Sequence, residues 1–273
     1  MINLNEILIL TSGNITKLEG FGDKGVMLGT FKEINYDSNS NELKLNDTDL
    51  KNYKVIYFRM VGKSLEVATL VSNYASENGI KVVDVMYEKT RLMPISLGKS
   101  LEMRKLYQSG ITIPRTVFGD FSKLKFPYVV KSTSGQKARE VWLVNNQEEL
   151  ELLNQKLDKQ KLYFAQELVP NAERIRVLVI GDRAIGAIKR QTKWNKSQTK
   201  ETLDPIPDEI ARLAVDSAKA VELEISGIDI LVNSQTNEMC VIEANAAPAW
   251  KLINKYCNAS VEDEIIKYLQ TKI

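Results

Sequence analysis

The most restrictive stretch of this chain is Gly227-Ile228-Asp229-Ile230-Leu231-Val232-Asn233. It is followed by Ser234-Gln235-Thr236-Asn237-Glu238 and then Cys240-Val241-Ile242-Glu243-Ala244-Asn245. Two β-branched, aliphatic runs around a cluster of turn residues predict an antiparallel hairpin. A turn centred on Thr236 sets Asp229 opposite Glu243, and Asn245, two residues on, emerges on the same face. Opposed carboxylates on neighbouring strands destabilise each other. A hard divalent cation between them removes that conflict, because Mg²⁺ takes oxygen ligands and few protein groups. A solvated hairpin face carries the same residue types, so the spacing alone leaves both readings open. An even-length turn would shift the register and undo the pairing.

The rest of the composition narrows the chemistry. Histidine is absent from all 273 residues, which excludes Ser-His-Asp and Cys-His triads and argues against a zinc hydrolase. Chemistry must then run on carboxylates, lysines, arginines and backbone amides, with or without a metal. Cys240 and Cys257 are the only cysteines, giving neither a disulfide framework nor zinc spacing; a reducing cytoplasm is the expected compartment. The 37 basic and 35 acidic residues are interspersed, so neither nucleic acid nor a membrane surface is expected as a partner. No apolar run approaches the length of a membrane span, and the start of the chain lacks a signal-peptide pattern. The length allows one to three domains.

Taken in order, Ile7–Leu10 reads as a buried strand, followed by an irregular, Gly- and Asn-rich stretch to about Leu50 holding one or two strands. Gly20-Phe21-Gly22-Asp23-Lys24-Gly25 reads as a plain loop, since it neither follows a clear strand nor opens a helix. Lys54–Phe58, a helix from Leu65 to Asn78 closed by Gly79, and Ile80–Asp84 form a strand–helix–strand unit, which implies a small parallel sheet. Arg59 falls at a strand's carboxyl end, where such sheets hold ligands, although a solvent-facing arginine fits as well. A helix opens at Lys99. The strand ending on Lys131 leads through Ser134, Gly135 and Arg139 into a second strand at Val141. That loop has the composition of a phosphate cover and equally of an exposed hairpin tip. Strand Leu162–Val169, a hairpin turning at Gly181-Asp182, an amphipathic helix Asp208–Val221 and a closing helix Glu262–Ile273 complete the pattern.

Lys99, the Val130-Lys131 strand end, Ser134-Gly135, Gln166-Glu167-Leu168, Arg176, Arg190 and Asp229…Glu243-Ala244-Asn245-Ala246-Ala247-Pro248 stand in a distinctive order. This order resembles the ATP-grasp superfamily, most closely the branch of ribosomal-protein glutamate ligases and glutathione-synthetase-like enzymes. The likeness runs from about Val55 to Tyr256. It implies an α/β (α+β) chain: a pre-ATP-grasp α/β domain over residues 1–95, a small ATP-grasp lobe over 96–165 and a large lobe over 166–273. The resemblance also implies that Lys99 and Lys131 contact ATP phosphates under a cover formed by Ser134 and Gly135. Gln166, Glu167 and Leu168 would line the adenine hinge. Asp229, Glu243 and Asn245 would hold Mg²⁺ (or Mn²⁺), while Arg176 and Arg190 face the substrate carboxylate.

The implied reaction is phosphorylation of a carboxylate by ATP followed by attack of an amine, chemistry that needs positioning and charge neutralisation rather than histidine. Partners would be ATP, a carboxylate and an amine acceptor (an amino acid, a peptide or a protein tail); a homo-oligomer stays open. Two other classes carry the same residues: an ATP-binding regulatory or scaffold protein, and an ATP-grasp kinase.

The chain departs from the family in three places. Where an acid usually holds the ribose stands Arg174, which leaves Glu173 as the nearest candidate. The cover loop is poorer in glycine, and the segment after Arg190, Gln191-Thr192-Lys193-Trp194-Asn195, lacks the usual arginine and paired glycines. The substrate is therefore not inherited from the resemblance.

Overall fold

The computed structural model describes residues 3–37, 42–88, 98–133, 140–190, 192, 194, 201–257 and 259–273. The first half builds a parallel sheet from β1 (Ile7–Thr11), β2 (Met27–Thr30), β6 (Val55–Met60) and β7 (Lys81–Val83), in the order β2-β1-β6-β7. A small antiparallel sheet of β3 (Ile34–Asp37), β4 (Glu42–Leu45) and β5 (Thr48–Asp49) lies in the stretch expected to be irregular. The crossover from β6 to β7 is helix α1 (Leu65–Glu77), which buries Ala68, Val71, Ser72, Tyr74 and Ala75 along one stripe. Gly79, at φ 70, lets the chain leave that helix through a left-handed residue. A short helix, α2 (Val85–Glu88), follows β7.

A second, wholly antiparallel sheet comes from β8 (Thr116–Phe118), β9 (Tyr128–Ser132), β10 (Val141–Val144) and β11 (Tyr163–Glu167), preceded by α3 (Lys99–Gln108). Its order is β10-β9-β11-β8. Alternation sends Tyr128, Val130 and Ala165 into a small core with Leu124, Val144 and Leu153 of α4 (Gln147–Lys156). Val129, Lys131, Phe164 and Gln166 face the other way.

The third sheet, in the order β13-β12-β14-β15, comprises β12 (Ala172–Ile180), β13 (Arg183–Arg190), β14 (Ile225–Asn233) and β15 (Met239–Asn245). Helices α5 (Asp208–Ala220), α6 (Lys251–Tyr256) and α7 (Val261–Gln270) complete the chain. One face of the sheet is apolar: Ile175, Val177, Val179, Ile228 and Ile230 bury against Ile210, Ala214 and Ala218 of α5. The other face is split. Leu178, Ile180 and Ile225 share a core with Ile7, Ile9, Val55 and Tyr57 of the parallel sheet, which locks the N-terminal part to it. Each such buried aliphatic side chain contributes about 1.5–3 kcal/mol. Beyond Gly227 the same face turns polar and carries the candidate site.

The β14–β15 hairpin shows how the register survives. Val232 pairs with Met239, so the turn proper, residues 233–238, has an even count. This alone would place Asp229 out of register with Glu243. A β-bulge at Ile242 supplies the missing residue: Ile230 pairs with Val241, yet Asp229 pairs with Glu243 and Gly227 with Asn245. Asn233 organises the turn by accepting the amide N–H of Gln235 at 2.9 Å and of Thr236 at 3.3 Å.

Candidate active site

Period-two alternation gathers Arg174, Arg176, Arg190, Asp229, Glu243 and Asn245 on one face of the third sheet, since Arg174 pairs with Arg190, Arg176 with Asp229 and Asp229 with Glu243. Asp229 is fully buried and its carboxylate is held by two guanidiniums. Arg176 donates through Nε to Oδ1 at 2.8 Å and through Nη2 to Oδ2 at 2.5 Å, and Arg174 donates through Nη2 to Oδ2 at 2.5 Å. Burial pushes the Asp229 carboxyl upward, but Arg176 and Arg174 outweigh it and hold the group ionised, well below the usual carboxylate range. Arg190 has no ion pair among the described residues; burial first, then Arg176 and Arg174, push its pKa down. Asn245 donates from Nδ2 to the Gly227 carbonyl at 3.4 Å. The chain then crosses β14 at Gly227, where a Cβ would meet Pro248 Cβ at 3.0 Å.

Lys99, at the start of α3, spans from Glu102 Oε2 to Glu243 Oε1, each at 2.9 Å. Burial works against its charge, but the two carboxylates prevail and raise its pKa. Glu102, 1% exposed, also accepts the Ala244 amide N–H at 2.7 Å. A buried acid one helical turn along from Lys99 thus fixes both that lysine and the backbone beside Glu243. Glu102 is absent from the residues singled out in sequence; its i,i+3 spacing from Lys99 is the signal that could have found it.

Across from this face, Lys131 points from the second sheet. Its amine donates to Gln166 Oε1, and Gln166, 2% exposed, donates in turn to Thr116 Oγ1 at 2.8 Å. The amine lies 6.0 Å from the centroid of the Phe164 ring, which stacks on Phe118. Burial, with Lys99 and Arg174 adding repulsion against the pull of Glu243 and Glu102, lowers the Lys131 pKa to about 8.

Several expected assignments change. Gln166 is interior to β11, paired with Val129 and Thr116, so its backbone belongs to the sheet and its side chain seats Lys131. The Glu167 N–H is taken by the Arg115 carbonyl at 3.0 Å, and its exposed carboxylate lies 3.9 Å from Arg115. Of that expected hinge trio, Leu168 is the residue beyond the strand. Glu173 cannot serve the cleft: alternation turns it to the α5 side of the sheet, where Lys189 Nζ pairs with it at 2.9 Å. Ser134 and Gly135 lie outside the described residues. Gly20 packs on Glu262 and Lys24 pairs with Asp263, so the Gly20–Gly25 stretch, which ends a 3-10 turn over Ile15–Phe21 and then turns, is held against α7. Arg59 reaches back to the site's exit loop, donating from Nη2 to the Pro248 carbonyl at 2.8 Å while stacking 4.0 Å from the Trp250 ring.

The donor set has a defined chemistry. Two carboxylates and a carboxamide on adjacent strands offer oxygen alone, which suits a hard divalent cation that takes its remaining ligands from water or phosphate. No group of three His, Cys, Asp or Glu among the described residues could hold a metal.

Residues 99–269 match the family model of the RimK-like ATP-grasp domain. The chain belongs to that family. It is 28% identical over 153 residues to human beta-citrylglutamate synthase B, an alignment covering 53% of this chain and 39% of that protein. It is 27% identical over 191 residues to human N-acetylaspartylglutamate synthase A, covering 63% and 49%. The chain thus spans less than half the length of these two relatives. Among solved structures it superposes on the ATP-grasp ligase PsnB complexed with precursor peptide PsnA2 and AMPPNP (TM-score 0.74, 18% identity, 100% and 99% of the two chains covered). It also superposes on the macrocyclase MdnC from Microcystis aeruginosa MRC, bound with precursor peptide MdnA (TM-score 0.67, 17% identity, 96% and 98% covered). The fold is ATP-grasp.

Proposed function

We propose that this chain is an ADP-forming carboxylate–amine ligase that binds ATP between its second and third sheets. The observation that carries this reading is the gathering in one cleft of Lys131, Lys99, the opposed Asp229–Glu243 acid pair and Arg190, which has no ion pair among the described residues. In the proposed complex Lys99 and Lys131 neutralise the phosphate chain, and the apolar surface of Val129 and Phe164 lies where a base would stack. Asp229, Glu243 and Asn245 would hold Mg²⁺, or Mn²⁺ in its place; bound there, the cation neutralises phosphate charge and aligns the terminal phosphoryl group.

Arg176 and Arg190 orient the carboxylate, whose oxygen attacks that phosphoryl group and releases ADP. The amine then attacks the acyl carbon and expels phosphate, leaving an amide. A fixed ring of cations does the work by positioning and charge stabilisation, which explains how a chain without histidine would manage it.

The names of the relatives, two of them synthases of glutamate conjugates, and the precursor peptides bound to the solved neighbours support an amino acid as one substrate and an amino acid, peptide or protein tail as the other. No helix among the described residues is long and apolar enough to cross a membrane. A cytoplasmic setting accords with two free cysteines.

The test is ADP release over a matrix of carboxylates and amines, with products weighed by mass spectrometry. Release that requires both partners and yields an amide supports the ligase. A stable phosphoester formed with one partner would identify a kinase, and Mg²⁺-dependent nucleotide binding without turnover would leave a binding module.

A further inference from the structure

We propose that Arg174 is a stand-in cation, which occupies part of the metal's seat on Asp229 and makes metal binding conditional on the arrival of a polyphosphate. The inference rests on the metal-site reading above and goes beyond it. A guanidinium stands here where the resemblance predicts an acid.

The geometry is specific. Asp229 Oδ2 accepts from both Arg174 Nη2 and Arg176 Nη2 at 2.5 Å, and Oδ1 accepts from Arg176 Nε at 2.8 Å. A carboxylate offers roughly four lone-pair sites, so three are already committed. A cation that coordinates Oδ2 must compete with a guanidinium. Arg176 grips both oxygens, whereas Arg174 holds one of them through a single N–H. Arg174 is therefore the bond that breaks first.

Nothing else among the described residues accepts the displaced charge. Among the described residues Arg174 Nε is buried without a hydrogen-bond partner, and Asp229 is the only acid paired with this guanidinium. Its direct cross-strand neighbour is Arg190. Like charges at that spacing repel, and Asp229 supplies the compensation. Replacing Arg174 on Asp229 by a divalent cation leaves two guanidiniums facing each other beside added positive charge, a state that only an incoming polyanion makes favourable. Bare metal is thereby excluded, and a metal–nucleotide complex is admitted as a unit.

The experiment uses the full chain and the metal alone. Mn²⁺ is titrated by electron paramagnetic resonance with and without AMPPNP, on wild type, Arg174→Gln, Arg174→Lys and Asp229→Asn. Losing one charge-assisted hydrogen bond from the competitor, about 1.5–3 kcal/mol, corresponds to at least a tenfold change. Arg174→Gln should therefore bind Mn²⁺ without nucleotide about tenfold more tightly than wild type, and AMPPNP should strengthen that binding less. Arg174→Lys keeps a cation able to pair with Asp229 and should stay within about threefold of wild type. A gain of affinity is a result that a mere strut cannot produce. Mn²⁺ affinity unchanged or weakened in a folded Arg174→Gln protein, or raised equally in Arg174→Lys, would overturn the stand-in role while leaving the metal site in place. Wild-type binding that Asp229→Asn does not alter would sink the metal-site reading and this inference together.

Discussion

Replacing Asp84 by asparagine should change how stability depends on pH more than how the protein folds. Asp84 follows β7 and is fully buried. Its Oδ1 accepts the backbone N–H groups of Glu224 at 2.6 Å and Ile225 at 2.8 Å, so it ties the parallel sheet to the first residues of the strand that carries Asp229. Oδ2 has no hydrogen-bond partner among the described residues. Burial pushes the carboxyl from its ordinary 3.8 up to about 8, against the pull of the two backbone bonds.

Between those values the native state holds a proton that the unfolded chain has lost, so stability falls as pH rises through the window and levels off above it. At about 1.4 kcal/mol per pH unit the full loss has a ceiling of about 6 kcal/mol. The carboxamide of the Asp84→Asn variant does not titrate, and its oxygen can accept the same two bonds. Denaturant unfolding from pH 4 to 9 should therefore show Asp84→Asn level with wild type at the acid end and increasingly more stable toward the alkaline end. Parallel pH profiles, or a variant less stable at every pH, would show that Asp84 is ionised and paired, and the reasoning would fail.

Three further outcomes follow from the site. Asp229→Asn leaves Arg174 and Arg176 without their buried counter-charge, so it should cost about 3–5 kcal/mol in unfolding free energy and abolish metal-dependent nucleotide binding, checked by calorimetry. Gln166→Leu keeps the strand but removes the seat of Lys131; nucleotide affinity should fall about tenfold with the melting temperature shifted by only a few degrees, as read by titration and differential scanning fluorimetry. Arg59→Lys retains charge but loses the planar stack on Trp250, so loop 246–250 should loosen, with increased amide hydrogen exchange there and about 1–2 kcal/mol lost.

What could be read from the sequence was whatever depends on neighbours close along the chain. Period-two and helical spacing located α1, α5, α7, the strand that carries Lys131, the β12–β13 hairpin that carries Arg190 and the β14–β15 hairpin. The reading of residues 14–50 as irregular with one or two strands fell short of the four found there, because each spans only two to four residues and β4 draws its burial from distant partners such as Phe58.

Tertiary structure decided the rest, because it depends on which faces and charges meet. The turn's even count argued against the Asp229–Glu243 pairing, and the bulge at Ile242 reversed that outcome. Glu173 stood as the ribose candidate beside Arg174 until the sheet acquired one apolar and one polar face, which turns Glu173 to Lys189 and Arg174 to Asp229. Gln166 looked like a hinge residue until β8 and β9 closed on both sides of it and its side chain became the support of Lys131. Asp229 was legible from the start as an acid facing an acid. That it is gripped by two arginines follows only when β12 lies beside β14, a contact between strands some fifty residues apart that no local pattern encodes.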